Sequence, residues 1–223
     1  INFKRYGGAL LHEPESISNQ SGQPYKVFTP FWRQCLATLE PPPPKPLAAT
    51  TRWYEGRIDS DDLADWALCP SAPDWAAGWD RLWQPGSAGA AEKLGTFLRQ
   101  TVDDYSEGRN HPAQQGTTRL SPHMHYGEIS PRTVWHNARG ACAGNPALEK
   151  EAEKFLSELG WREFSHYLLH HFPRVQEQPF KPSFDEFPWL ADEARLRTWQ
   201  QGLTGYPMVD AGMRELWQTG YMH

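Results

Sequence analysis

The run from about Leu148 to His171 constrains the fold more than any other stretch of the sequence. Its apolar residues have the three- and four-residue spacing of an α-helix, and they are Leu148, Ala152, Phe155, Leu156, Leu159, Phe164, Tyr167 and Leu168. At about 100° per residue, one stripe of this helix carries four candidates for function, namely Phe155, Glu158, Trp161 and Arg162. A buried charge needs a partner or a ligand. The stripe therefore predicts either a structural Glu158–Arg162 ion pair or a face that meets a flat, partly charged molecule.

The sequence after residue 88 predicts a mainly α-helical region. Leu94 to Tyr105 has helical spacing up to Gly108, and Ser130-Pro131 and Pro207 are typical helix starts. Ser121-Pro122 predicts another short helix, with the serine as its N-cap. No strand pattern occurs in this region.

The residues before 88 lack the long helical patterns of the later region. Two short apolar pieces, Ala9–Leu11 and Tyr25–Thr29, predict a strand or two at the end of an α/β domain. The prolines of 41–44 predict a stiff connector. The connector is expected to pack on the next domain through its indoles, which are Trp53, Trp66, Trp75, Trp79 and Trp83. The predicted domains are 1–40, 41–87 and 88–223.

Composition excludes some classes of function. The formal charge of −5 argues against a generally basic nucleic-acid coat but permits a local basic patch. The three cysteines form no CxxC pair, which predicts a reducing, cytoplasmic location. No apolar run reaches membrane-spanning length. The sequence does not begin with Met, and we expect it to be an internal piece of a longer protein.

The segment Gly116–Pro122 is a candidate anion site. It places the hydroxyls of Thr117, Thr118 and Ser121 and the guanidinium of Arg119 just before a predicted helix N-terminus. The alternative is a capped helix with ordinary polar loop residues. No metal site is predicted, because the histidine pairs lack the glutamate that a zinc hydrolase carries after its first helical histidine.

Four blocks resemble the DNA photolyase/cryptochrome family in order and spacing, and they are residues 116–130, 158–164, 204–214 and 219–223. The resemblance covers roughly residues 90–223 closely and 1–90 more loosely. It implies a helical FAD-binding domain, preceded by the end of an α/β antenna domain and a connector. It also implies an enzyme of the carbon–carbon lyase class, with reduced FAD donating an electron under light to split cyclobutane pyrimidine dimers. A second antenna chromophore (methenyltetrahydrofolate or deazaflavin), UV-damaged DNA as partner and a monomeric state follow from the same resemblance.

The resemblance also implies roles for individual residues. Those at the positions that hold the FAD phosphates are Tyr105, Thr117, Thr118, Leu120 and Ser121. Phe155 stands where the family often has a tryptophan beside the flavin, and Arg162 resembles a flavin-contacting arginine.

Further positions match residues that meet DNA or carry electrons. Glu158 and Trp161 resemble the pair that receives a flipped-out dimer, the carboxyl on the base edge and the indole on the ring. Arg109 resembles a DNA-backbone contact. Trp189 resembles the outermost tryptophan of the relay that re-reduces the flavin.

Three other functions stay open. A cryptochrome photoreceptor shares these blocks, although plant-type cryptochromes often have an aliphatic residue at the position of Trp161. Enzymes that repair the (6–4) photoproduct usually have glutamine at the position of Glu158. A flavin-free helical interaction module would explain the amphipathic helices but not the anion site.

Overall fold

A computed structural model describes residues 3, 7–38, 40–45, 52 and 54–223. Its α-helices are α1 (Phe28–Ala37), α2 (Ser87–Gln100), α3 (Tyr105–Gly108), α4 (Ser121–His125), α5 (Pro131–Cys142), α6 (Pro146–His171), α7 (Glu193–Gln200) and α8 (Pro207–Thr219). Short 3₁₀ turns lie at Pro14–Ser16, Leu63–Trp66, Trp79–Arg81, Val102–Asp104, Pro173–Gln176 and Pro182–Phe184. The described residues contain no β-strand, and the mainly α fold class is confirmed.

The chain divides into two compact units. The first combines residues 1–44 with 85–188, and the second combines 45–84 with 189–223. The boundaries near residues 44 and 85 are close to the expected ones at 40 and 87. The first unit, however, combines residues from before and after the expected connector, which were predicted to form separate domains. The three-domain division remains a prediction.

Helix α6 is the centre of the first unit. It packs against α1, α3 and α5. One cluster of buried side chains joins α6 to α2 and α5 through Phe97, Trp135, Phe155 and Leu159. A second cluster joins it to α1 through Phe31, Cys35, Phe164 and Tyr167. The predicted long, buried helix is therefore confirmed.

Local sequence explains the ends of α6. The Asn145 side chain accepts hydrogen bonds from the amides of Ala147 and Leu148, and Pro146 occupies a first-turn position that needs no N–H donor. The helix ends at His171, two residues before Pro173. Both ends thus follow from capping and proline chemistry.

The shorter helices give one confirmation and two corrections. Ser130 caps α5 by accepting from the amides of Arg132 and Thr133, as predicted. The N-cap of α4 is Leu120, however, and Ser121 is its first helical residue, so the predicted Ser121 cap is wrong. The helical run from Leu94 to Gly108 is also interrupted, by a 3₁₀ turn at Val102–Asp104.

The strands predicted near the start of the chain are wrong for the residues that the structure describes. Ala9–Leu11 has no strand partner, and its backbone groups are satisfied by side chains instead. Arg162 donates to the Ala9 carbonyl (2.9 Å), and the Leu11 amide donates to Glu163 (2.8 Å). Tyr25–Thr29 runs into α1, whose first residue is Phe28. Backbone polar groups need a partner, and here α6 supplies it.

In the second unit, two connector indoles contact the end of α8. Trp83 donates from Nε1 to the Thr219 carbonyl (2.7 Å), and its ring lies 6.0 Å from that of Tyr221. The Trp79 ring lies against Gly220. These contacts agree with the expected packing for Trp79 and Trp83. Trp66 and Trp75 are more than half exposed, and Trp53 lies outside the described residues.

We expect Gly220→Ala to destabilise this unit. Gly220 has φ +69°, and an added methyl group would lie 2.6 Å from the Trp79 ring. The left-handed conformation alone costs an alanine roughly 1–2 kcal/mol, and the clash adds to it. Urea unfolding measures the loss. The matched control is Gly205→Ala, which has φ +81° but no atom near the added methyl group. Equal losses in the two variants would contradict the steric part of the argument.

No described helix has both the length and the apolar character needed to cross a membrane.

Candidate functional site

Helix α6 exposes its predicted functional stripe unequally. Phe155 is a core residue, whereas Glu158 is half-buried and Trp161 has 47% of its surface exposed. An indole this exposed beside a carboxylate on a buried helix can stack on a flat molecule while the carboxylate contacts its polar edge. Three of the four stripe residues thus divide into a packed residue, Phe155, and an accessible pair, Glu158 and Trp161.

Glu158 pairs with a residue that is distant in sequence. Its Oε1 forms an ion pair with Nη1 of Arg109, and Nζ of Lys154 lies 3.8 Å from the same oxygen. The hydrogen bond to Glu158 is the main reason that the pKa of Arg109 is raised. The structural alternative, a Glu158–Arg162 pair, is absent, and both residues lie within the described part of the chain. Two residues predicted to meet DNA are therefore in direct contact.

Tyr105 and Phe155 lie next to this ion pair. The Arg109 guanidinium lies over the Tyr105 ring, 5.7 Å from its centroid. Tyr105 packs edge-on against Phe155 with centroids 5.4 Å apart. The structure thus brings together four of the predicted site residues, which are Tyr105, Arg109, Phe155 and Glu158.

The loop before α4 has an unusual backbone. Arg119 adopts φ +51°, a conformation that is uncommon for a non-glycine residue. The Leu120 amide donates to the Thr118 hydroxyl (3.2 Å), and Leu120 itself is buried. Gly116 packs so closely on the α3 backbone that an added Cβ would lie 2.2 Å from the Gly108 carbonyl oxygen. The loop is therefore fixed against α3, the helix that begins with Tyr105.

This loop offers several hydroxyl groups as hydrogen-bond donors. Thr117 and Thr118 are half-buried, Ser121 is exposed, and α4 has no side-chain N-cap. Lys93 of α2 adds a second cation: burial, and then the charge of Arg119, lower its pKa. Two neighbouring cations beside several hydroxyls favour an anion. The sequence pattern did not single out Lys93, because one lysine on an amphipathic helix is an ordinary surface residue.

Two other predicted residues, Arg162 and Trp189, are described separately. Arg162 donates to the Ala9 carbonyl and, at 3.2 Å, to Glu163, so its described contacts are with the N-terminal segment and its own helix. Trp189 belongs to the second unit and is 74% exposed. The role in flavin contact for Arg162 and the role in electron transfer for Trp189 both remain predictions.

Glu163 is a buried residue that the sequence pattern did not reveal. It is only 4% exposed and accepts hydrogen bonds from the amides of Leu11 (2.8 Å) and His12 (3.4 Å) as well as from Arg162. Burial outweighs these bonds and raises the pKa of the carboxyl to about 7. The residue attaches the N-terminal segment to α6.

We expect Glu163 to make stability depend on pH. Its pKa of about 7 in the folded protein exceeds the ordinary 4.5, so the folded state holds the proton more tightly than the unfolded chain does. The resulting stabilisation is complete below about pH 4.5 and is lost as the pH rises through 7, with an upper limit of roughly 3 kcal/mol.

Urea unfolding of the Glu163→Gln variant across this pH range measures the effect. Glutamine keeps an acceptor for the Leu11 amide but does not ionise, so the variant is expected to lose less stability between pH 5 and pH 8. Glu153→Gln, a change at an exposed position of the same helix, is the control. If the Glu163 variant and the unchanged protein have parallel pH profiles, this assignment is wrong.

A cavity of about 570 Å³ lies in the first unit beside α1, α5 and α6. Its lining includes Trp32, Cys35, Trp135 and Arg139. The two indoles meet edge-on with centroids 6.0 Å apart. Within the described residues, the buried Nε1 of Trp135 has no hydrogen-bond acceptor. A flat molecule with an acceptor atom would suit these walls.

The described residues contain no group of three His, Cys, Asp or Glu side chains placed to hold a metal ion.

Two family models match the chain. The model described as "FAD binding domain of DNA photolyase" matches residues 155–223, and the model described as "DNA photolyase" matches residues 1–48. The deoxyribodipyrimidine photo-lyase of Agrobacterium fabrum is 43% identical over 227 residues, which cover 100% of this chain and 46% of that protein. The chain belongs to the DNA photolyase/cryptochrome family.

The similarity includes both branches of this family. Cryptochrome-1 of Arabidopsis thaliana is 35% identical over 230 residues, covering 100% of the chain and 34% of that protein. The crystal structure of a bacterial class III photolyase from Agrobacterium tumefaciens superposes with a TM-score of 0.90 at 43% identity, covering 97% of this chain and 44% of the other. The chain spans less than half the length of each of these relatives.

The family match confirms the helical FAD-binding domain predicted from the four sequence blocks. It also supports the prediction of FAD as the cofactor, in agreement with the donors found in the 116–121 loop.

Proposed function

We propose that the full-length protein repairs cyclobutane pyrimidine dimers in DNA under light, with reduced FAD as the electron donor. One observation carries the proposal: α6 presents the half-exposed indole of Trp161 three residues from Glu158, which lies beside Arg109. A flipped-out nucleotide has a flat base, a polar base edge and a phosphate, and these three features match the indole, the carboxylate and the guanidinium. Relatives named deoxyribodipyrimidine photo-lyase support the same conclusion.

Each residue has a distinct task in this proposal. Trp161 stacks on the dimer and keeps water from one side of it. Glu158 hydrogen-bonds the polar edge of the bases. Arg109 contacts the DNA backbone near the lesion, where its charge adds affinity but little sequence preference.

The 116–121 loop would hold the cofactor through its phosphates, with Thr117, Thr118, Arg119 and Ser121 as donors. Leu120 of the loop belongs to the same buried cluster as Tyr105 and Phe155, which gives the loop a rigid support. When bound and reduced, FAD supplies the electron that light makes available. The protein supplies position and exclusion of water.

Light-dependent repair is the direct test. The full-length protein with reduced flavin is mixed with an oligonucleotide that contains one thymine dimer, and the restored thymines are measured after blue light and in darkness. Restoration only under light supports the proposal. If the protein holds and photoreduces flavin but restores no thymines, the proposal is wrong.

A cryptochrome-type photoreceptor is the second candidate, because Arabidopsis proteins named cryptochrome-1 and cryptochrome-2 match all of this chain at 35% and 38% identity. The presence of both Glu158 and Trp161 favours repair over signalling. Repair of the (6–4) photoproduct is less favoured, since that branch usually has glutamine at position 158. An oligonucleotide with a (6–4) lesion, assayed in parallel, separates these outcomes.

The cavity lined by Trp32 and Trp135 is our proposed place for a second, light-harvesting chromophore in the full-length protein. Its indole walls and the Nε1 donor of Trp135 suit a flat heterocycle such as a pterin or a deazaflavin. Absorbance of the purified protein beyond that of its flavin tests this.

We also propose that the protein is a monomer and that it is located in the cytoplasm. The free thiols of Cys35, Cys69 and Cys142 suit a reducing compartment of this kind.

A further inference from the structure

Trp161 is exposed, yet other aromatic side chains restrict its ring. The Phe28 ring lies parallel to the indole, with centroids 3.8 Å apart and planes 10° from each other. Phe164 meets the indole edge-on at 6.1 Å. One indole face is therefore covered by Phe28, and the 47% exposure of Trp161 leaves the opposite face for a ligand.

Phe28 is itself firmly held, although it lies on a different helix. It is the first residue of α1, and its ring meets Phe164 edge-on at 5.9 Å and lies parallel to Trp32 at 6.3 Å. One turn further along α1, Phe31 is 2% exposed and packs on Phe164 and Tyr167. The second buried cluster thus anchors the helix that carries Phe28.

From this geometry we propose that Phe28 is a positioning residue for the lesion-binding indole. Phe28 holds Trp161 in one orientation, so that a flipped-out pyrimidine stacks on the free face and forms the third layer of a Phe28–Trp161–base stack. A side chain that is ordered before binding loses less conformational freedom when the ligand arrives. The inference rests on the proposed function, because it adds a residue to the same dimer site.

Four variants of the full-length, flavin-reduced protein test the proposal. Phe28→Leu removes the ring but keeps apolar volume, and Phe28→Tyr keeps the ring. Phe31→Leu alters the same helix at a buried position away from the indole. Trp161→Phe serves to identify the resonance of the indole in the fluorine spectrum described below. The dissociation constants for a dimer-containing and an undamaged oligonucleotide are measured together with flavin content and thermal midpoint.

We expect Phe28→Leu to weaken dimer binding roughly three- to tenfold, the range for loss of one preordered side chain. Binding of undamaged DNA and flavin content should be unchanged, and Phe28→Tyr should restore dimer binding. Phe31→Leu should lower the thermal midpoint without changing the ratio of the two dissociation constants. If Phe28→Leu keeps the ratio of the unchanged protein, or if Phe31→Leu reduces it equally, the proposal is overturned.

A second measurement separates this inference from the proposed function. In protein labelled with 5-fluorotryptophan, the ¹⁹F resonance that disappears in Trp161→Phe belongs to Trp161. Broadening or splitting of that resonance in Phe28→Leu but not in Phe31→Leu supports the positioning role. A single sharp resonance overturns it even if it is shifted, because loss of the Phe28 ring current shifts it in any case. If the unchanged protein binds both oligonucleotides equally, the dimer-repair proposal fails, and the fluorine spectrum still decides whether Phe28 orients the indole.

Discussion

A protein in which Trp161 is replaced by alanine is expected to bind dimer-containing DNA roughly tenfold to a hundredfold more weakly, because base–aromatic stacking contributes about 1–3 kcal/mol. The large effect follows from the position of the indole, which is exposed on one side and supported by Phe28 on the other. Repair at low DNA concentration should fall by the same factor. Fluorescence anisotropy with a labelled oligonucleotide measures the affinity.

Trp217→Ala is the matched control for this prediction. Trp217 is also an exposed indole on a helix, at 61%, but it belongs to the second unit and donates its Nε1 hydrogen to the Gln200 carbonyl. Its loss should leave the preference for dimer DNA unchanged. Equal losses of preference in the two variants would show that exposed indoles act generally and that Trp161 has no special role.

Glu158→Ala is expected to lower the repair yield much more than it lowers flavin content. A hydrogen bond to a charged group contributes about 1.5–3 kcal/mol, which corresponds to roughly tenfold or more in dimer affinity. The flavin should stay bound, since the proposed phosphate donors lie on the 116–121 loop and not on α6. Flavin absorbance and repaired thymines per absorbed photon are compared. Glu153→Ala, at an exposed position of the same helix, is the control, and parallel losses of flavin and repair would contradict the assignment.

The ion pair between Arg109 and Glu158 makes a second consequence of this substitution measurable. In the structure, the guanidinium proposed to meet a DNA phosphate is bound to Glu158. Removal of the carboxylate frees it, so undamaged DNA should bind slightly more tightly, by a factor of about 2–5 for a partly exposed pair. In an Arg109→Ala background the same change should have no effect. An equal gain in both backgrounds would mean that the carboxylate repels DNA without acting through Arg109.

Local sequence signals predicted the helical elements well. The periodicity from Leu148 to His171, with Pro173 after it, predicted α6 to within two residues of its observed start at Pro146. Ser130-Pro131 likewise defined the start of α5. The prediction that Ser121 is the N-cap of α4 was wrong by one residue. The N-cap is Leu120, whose amide donates a hydrogen bond to the Thr118 hydroxyl.

Long-range partners could not be predicted in the same way. In the periodic pattern Glu163 resembles any charged residue on an amphipathic helix, and only the fold places the Leu11 amide beside it. The apolar residues of 9–11 suited a strand, but whether an apolar piece becomes a strand depends on the presence of another strand to pair with it. The same limit applies to Phe28, whose importance depends on its contact with an indole more than a hundred positions later.

The attachment of the N-terminal segment to Glu163 has a consequence for synthesis in the cell. Leu11 and its partner are 152 positions apart, so at about 5–20 residues per second the ribosome needs roughly 8–30 s to make the second after the first. During that interval the apolar side chains of Leu11, Ile17 and Phe31, all buried in the finished fold, have no helix α6 to cover them. Residues 11–31 therefore depend on an element that is made later, and their protection by a chaperone during this delay should influence the yield of folded protein.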